Sequence, residues 1–191
     1  MIKAIIFDCF GVLVTESWES FCQEYFSSDQ EKLSMAHTVA GQLNSGQIGY
    51  DTFIDQVAEL AGISSEKARD YIDKNICNAP LLDYIQSKLK SNYKIGMLSN
   101  AGDNWLSEMF TKEQLAIFDD VVLSYRVGIT KPNAQIYELS AERLKVLATE
   151  CVFIDDLEKH VSGAKAAGMQ AIVYHDFAQM KTELEKILAT G

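Results

Sequence analysis

The chain has 191 residues, 48% of them hydrophobic and 23% charged, with a formal net charge of -10. That length suits one medium domain, or a core domain carrying a small insertion. The acidic balance argues against nucleic acid and anionic membranes as general partners, and it means that any bound anion needs a local cation.

The chain opens on an apolar run, Ile2–Phe7, that ends at Asp8 and turns at Gly11. From Glu16 to Pro80 no strand is predicted. Helical patterns cover Trp18–Tyr25, Glu31–Asn44, Tyr50–Ala61 and Ser65–Asn75, punctuated by Gly41, Gly46, Gly49 and Gly62. Ser64 or Ser65 is the expected N-cap of the last, with Glu66 in its first turn. A helix over Leu81–Lys90 leads back to further apolar runs at Lys94–Leu98, Val121–Leu123, Val152–Ile154 and Ala171–Tyr174. Such runs, bounded by polar or turn residues, read as buried parallel strands. Between and after them lie predicted helices at Asn104–Phe110, Ala134–Leu144, Glu158–Ala167 (stopping at Gly168) and Phe177–Ala189. Alternation of strand and helix predicts a doubly wound parallel sheet.

The polar residues cluster at strand ends. Asp8 ends the first strand, where an open α/β sheet places a nucleophile. Ser99-Asn100 follow the second strand; by themselves they fit a turn. Lys131-Pro132 precede a helix beginning near Asn133, and Pro132 suits a first helical turn. Asp155-Asp156 end the fourth strand; adjacent carboxylates there are costly without a cation, and Mg²⁺ takes such oxygen ligands.

Cys9, Cys22, Cys77 and Cys151 form neither a C-x-x-C pair nor a C-x₅-R loop. Walker A, G-x-G-x-x-G and G-x-S-x-G patterns are missing from the sequence, and His37, His160 and His175 lack metal-ligand spacing. Nothing resembles a signal peptide or a membrane span, so a reduced, cytoplasmic protein is the expectation.

Asp8-Cys9-Phe10-Gly11-Val12-Leu13 resembles the first motif of the haloacid dehalogenase-like hydrolase superfamily. Ser99-Asn100, Val127–Pro132 and Asp155–Met169 match its later motifs in the family's order, over the whole chain. The resemblance implies a Rossmann-like core over 1–15 and 81–191, with a small helical cap at 16–80. It also implies an Mg²⁺-dependent phosphatase acting on a small phosphorylated metabolite. Asp8 would be the nucleophile, and Ser99, Asn100 and Lys131 would hold the phosphoryl group. Asp8, the Phe10 carbonyl and Asp156 would ligate Mg²⁺, with Asp155 ligating directly or through water.

One residue departs from the pattern. Where most of the family's phosphatases carry a second aspartate as general acid and base, this chain has Phe10. Such assistance is worth about 10²–10⁴ in rate, so esters with good leaving groups should suffer least. A second reading is a catalytically weak member that binds a ligand or protein. A third is a 2-haloacid dehalogenase, a class similar in its aromatic residue at this position; against it stand the acidic pair and an insertion whose only arginine is Arg69. Glu16 or Glu19 could replace the missing acid, although an acidic first turn of the Trp18 helix is the more ordinary role. His160 is either a helper beside the acidic pair or a helix-face histidine.

Overall fold

The computed structural model describes residues 1–190. Five strands, β1 (Ala4–Phe7), β2 (Lys94–Ser99), β3 (Asp120–Leu123), β4 (Cys151–Asp155) and β5 (Gln170–Val173), form one parallel sheet in the order β3-β2-β1-β4-β5. Strand β1 is central. Phe7 is paired with Met97 of β2 on one side and with Ile154 of β4 on the other. The chain builds outward from β1 through β2 to β3, then crosses back to β4 and β5. The reversal makes the carboxyl end of β1 a topological switch point, where open α/β sheets hold their ligands.

Both faces of the sheet are covered, which is why its strands read as unbroken apolar runs rather than alternating ones. Ile5, Phe7, Ile95, Met97 and Ile154 pack with Leu81, Ile85, Met180 and Leu184. These helical partners belong to α5 (Ala79–Tyr84), its wider-turned continuation Ile85–Leu89, and α11 (Phe177–Thr190). On the opposite face Ala4, Ile6, Leu98, Val122 and Phe153 meet α9 (Ala134–Arg143) and α10 (Glu158–Ala166) through Ile136, Tyr137, Ala141 and Ala164.

The segment between β1 and α5 is helical: α1 (Trp18–Phe26), α2 (Gln30–Asn44), α3 (Tyr50–Ala61) and α4 (Ser65–Ile72). These helices bury Phe21, Phe26, Leu43, Phe53, Ile54 and Val57 in a core of their own. Asp29 and Ser64 cap α2 and α4 by accepting the backbone N–H of Lys32 and Lys67. Entry and exit of this insertion are side by side. Thr15 N–H donates to the Ile76 carbonyl at 2.9 Å, and Ile76 N–H donates to Thr15 Oγ1 at 2.8 Å. A second tie lies across the molecule: the Ser124 hydroxyl is 2.6 Å from the Asn44 carbonyl and accepts the Ala101 N–H at 2.9 Å.

Departures from the predicted elements are local. The fourth helix of the insertion stops at Ile72 rather than Asn75. The Asn104–Phe110 pattern shrinks to α6 (Leu106–Met109), followed by α7 (Lys112–Leu115) and, after β3, α8 (Ser124–Val127). Helix α9 begins at Ala134 as predicted and ends one residue early, at Arg143; Asn133 is its N-cap, accepting Gln135 N–H at 3.0 Å, so Pro132 precedes the helix instead of occupying its first turn. No helix among the described residues is long and apolar enough to cross a membrane.

Candidate active site

Asp8 leaves β1 at the switch point, its N–H bonded to the Ile154 carbonyl at 2.8 Å. Its Oδ1 accepts Cys9 N–H at 2.7 Å and lies 2.7 Å from Lys131 Nζ. The same ammonium donates to Asp155 Oδ2 at 2.6 Å. Lys131 is only 3% exposed and Asp155 fully buried, so this pair of ion contacts is withdrawn from solvent. An ammonium so placed must be fully partnered to stay charged.

Several residues fix Lys131. The Asn100 side chain brackets its backbone, accepting Lys131 N–H at 2.8 Å and donating to its carbonyl at 3.1 Å. Behind the next residue stands Gly163 of α10: a Cβ there would lie 2.6 Å from the Pro132 carbonyl oxygen and 2.9 Å from the Tyr137 hydroxyl. Only glycine lets α10 approach the lysine loop this closely. Tyr137 in turn donates to the His160 carbonyl at 2.8 Å.

Asp155 is fully engaged. Besides Lys131 it accepts Leu157 N–H at 2.9 Å, and His160 Nδ1 lies 3.0 Å from its Oδ1. Burial alone would raise its pKa, but Lys131 and His160 outweigh that and hold the carboxyl well below its usual range. Asp8 goes the other way. Burial raises it, Lys131 opposes without outweighing, and the Asp155 charge adds to the rise. Lys131 is itself held above its normal value, burial being overcome by the two carboxylates. His160, buried beside Lys131, is lowered despite its bond to Asp155.

Asp156 differs from its neighbour. It forms no ion pair, and burial together with the Asp155 charge pushes its carboxyl up to about 6. It lies against Gly11, whose φ of 80° is left-handed and where any Cβ would overlap the Asp156 carboxylate. Gly11 thus makes room for that carboxylate beside the turn that follows Asp8.

Two adjoining cavities open above the sheet. The smaller, about 450 Å³, is lined by Asp8, Ser99, Asn100, Lys131 and Asp156. The larger, about 770 Å³, lies between core and insertion, walled by Trp18, Tyr50, Phe53 and Trp105. All seven residues read from the sequence as site residues line one or other cavity except Asp155, which sits beneath, bonded to Lys131. Phe10 lines both; its ring meets Trp105 edge-on at 4.8 Å. His160 is buried and bonded to Asp155, which resolves its open role toward the acidic pair. Gly163, Tyr137 and the bracketing Asn100 side chain went unread, since their effect arises only when α10 and the lysine loop meet.

A model of the haloacid dehalogenase-like hydrolases matches residues 2–168. The chain belongs to that family. It is 27% identical to D-ribitol-5-phosphate phosphatase of Bacteroides thetaiotaomicron, over 98% of this chain and 99% of that protein. It is 28% identical to bifunctional epoxide hydrolase 2 of Sus scrofa over 97% of its own length, but spans only 39% of that relative. Among solved structures, a haloacid dehalogenase family enzyme of Bacteroides thetaiotaomicron, crystallised with magnesium and inorganic phosphate, superposes with a TM-score of 0.73. It covers 94% of this chain and 99% of the other at 24% identity. A 2-haloacid dehalogenase from Pseudomonas syringae pv. Tomato gives 0.58 at 19% identity, covering 91% of this chain and 86% of its own. The same fold therefore carries both chemistries, and the site must separate them.

Proposed function

We propose that the protein is a phosphomonoester hydrolase that transfers a phosphoryl group first to Asp8 and then to water. The observation that carries the reading is the convergence on one cavity of Asp8, its buried Lys131 partner at 2.7 Å, Ser99, and an unpaired Asp156. Asp8 Oδ1 is held by Cys9 N–H and Lys131, so Oδ2 is the attacking atom. Lys131 neutralises charge that builds on the transferred group, and Ser99 with the Asn100 backbone orients it. The aspartyl phosphate is then hydrolysed, regenerating the carboxylate. The family likeness and the phosphatase relatives support this reading. A small phosphorylated metabolite fits a site roofed by an insertion that acts as a cap over 16–80, on a core of 1–15 and 81–191.

A divalent cation fits the residues present. Asp156 is an oxygen donor with no ion-pair partner among the described residues, and Asp8 is raised by burial and by the Asp155 charge beyond what Lys131 offsets. Asp8, the Phe10 carbonyl and Asp156 would hold Mg²⁺, while Asp155, already occupied by Lys131 and His160, supports from beneath. Bound there, the ion would add positive charge opposite the phosphoryl oxygens.

The test is hydrolysis of p-nitrophenyl phosphate with Mg²⁺ and with EDTA, for the wild type and Asp8→Asn. Turnover should be lost with EDTA, and fall by at least about 10⁴-fold in the variant. Absence of Asp8-dependent turnover on any good-leaving-group ester would sink the enzymatic reading and leave a binding protein. The aromatic Phe10 favours one rival, dehalogenation. Metal-independent chloride release from 2-chloropropionate would establish it.

A further inference from the structure

We propose that Glu16 supplies the proton transfer that residue 10 does not, a role that rests on the phosphatase reading. A general acid for phosphoryl transfer must meet the bridging oxygen, the atom joining phosphorus to the leaving group. It must therefore stand where the phosphoryl cavity meets the cavity that receives the rest of the substrate. Six residues line both: Phe10, Glu16, Trp18, Ala40, Asn44 and Asn100. Of these, Glu16 alone has an ionisable side chain.

The other carboxylates of the smaller cavity are excluded by position. Asp8 is the nucleophile, Asp156 belongs to the cation, and Glu19 is exposed and lines only the smaller cavity. Glu16 is held in place: its Oε1 accepts Trp18 N–H at 2.6 Å, so the carboxyl does not swing freely. Its surroundings also suit the task. Burial raises the carboxyl above its ordinary range, which favours the protonated form that an acid needs.

In the first step Asp8 Oδ2 forms a bond to phosphorus, the phosphorus–oxygen bond of the ester breaks, and Glu16 gives its proton to the departing alkoxide. In the second, the Glu16 carboxylate takes a proton from water as its oxygen bonds to phosphorus. The Asp8–phosphorus bond breaks, releasing phosphate and restoring Asp8 as carboxylate and Glu16 as acid. Tethering at Trp18 N–H has an ordinary meaning too, the capping of α1. Glu16→Gln separates the two, because an amide oxygen still accepts the Trp18 N–H but the side chain carries no exchangeable acid proton.

The decisive measurement is kcat/KM, which reports events up to leaving-group departure, for ethyl phosphate and p-nitrophenyl phosphate with Mg²⁺. Glu16→Gln should lower it about 10²-fold or more for ethyl phosphate, and less than about tenfold for p-nitrophenyl phosphate, whose phenolate departs unprotonated. Adding Phe10→Asp to Glu16→Gln should restore ethyl phosphate turnover selectively, and Glu16→Asp, which keeps both cap and acid, should retain most of it. Equal losses on both esters, no loss on either, or loss in Glu16→Asp equal to that in Glu16→Gln would overturn the assignment. If Glu16→Gln does not fold, Glu16→Asp and Phe10→Asp decide. Phe10→Asp alone should then gain little, since the acid is already present, and a gain on ethyl phosphate of about 10²-fold would refute the role. Wild-type protein inert toward both esters would fail the phosphatase reading itself, a result distinct from active wild type with an indifferent Glu16.

Discussion

The floor and the roof of the site are built on different principles. The floor, at the ends of β1, β2 and β4, is a buried ionic lattice in which Lys131 bridges Asp8 and Asp155 at 2.7 and 2.6 Å, and Asp155 also bonds His160. The roof mixes rings with solvent-facing polar groups: Trp18, Tyr50, Phe53 and Trp105 stand beside an Arg69–Asp51 pair at 2.6 Å and a Tyr50–Asp73 hydrogen bond, with Glu16 tethered by one 2.6 Å contact. Fixed charge in a dry site serves charge development at a known atom. Rings and open volume impose shape without prescribing one ligand. On the phosphatase reading, the floor would set the reaction and the roof would choose what is brought to it.

The contrast can be broken most forcefully at Lys131. Lys131→Met leaves two buried carboxylates without their ammonium. It should cost roughly 3 kcal/mol at pH 7 by urea denaturation and abolish turnover. The cost should shrink toward pH 4, where Asp8, already raised, takes up a proton. Full stability at pH 7 would mean that the lattice is not what holds the floor.

A smaller effect belongs to Gly163. The Cβ of Gly163→Ala would sit 2.6 Å from the Pro132 carbonyl oxygen, pushing the lysine loop away from α10. A loss of about 1–3 kcal/mol is expected, with a fall in kcat that exceeds any rise in KM because Lys131 is displaced from the reacting atoms. Unchanged kcat would show that the loop is positioned from the Asn100 side alone.

The mildest test concerns the roof. Glu16 has a folded-state value of about 7 against an ordinary 4.5. Between those pH values the folded protein keeps a proton that the unfolded chain has released, so this group's contribution to stability falls as pH rises through the window. Glu16→Gln removes the dependence. Its melting temperature should match the wild type near pH 4 and exceed it by about 2–4 °C at pH 8. A constant difference across pH would show that the half-buried Glu16 carboxyl is not raised in the folded protein.

The floor is more legible in the sequence than the roof, of which only Glu16 stands out, for physical reasons. Parallel strands covered on both faces must be apolar throughout, so Asp8, Ser99 and Asp155 stand out as the polar residues that end them. Family resemblance supplied the order, and Lys131 with it. What escaped depends on contacts between distant segments. Asn100 is expected to fit a turn and, by the resemblance, to help hold the phosphoryl group, yet its side chain clamps Lys131, 31 positions away. Ser124 carried no signal at all, although it joins Asn44 to Ala101. Helix α7 is a different miss: Thr111-Lys112-Glu113-Gln114 is a capping box written in the sequence, and both its bonds form. Four residues are too few to show a hydrophobic period, so the box alone does not mark a helix.

The stem at Thr15 and Ile76 has a consequence for how such a molecule can change. Chain ends already held together at 2.9 Å can be joined by any loop, and closure entropy grows only slowly with loop length. The registers of β1 with β2 and β4 lie wholly outside the loop. The insertion is therefore an exchangeable part: if it acts as the proposed lid, it could be lengthened, shortened or traded for another while the residues at the strand ends keep their places. Glu16, the first residue past the stem, would travel with the lid. A new lid would bring its own acid, and so its own choice of leaving group.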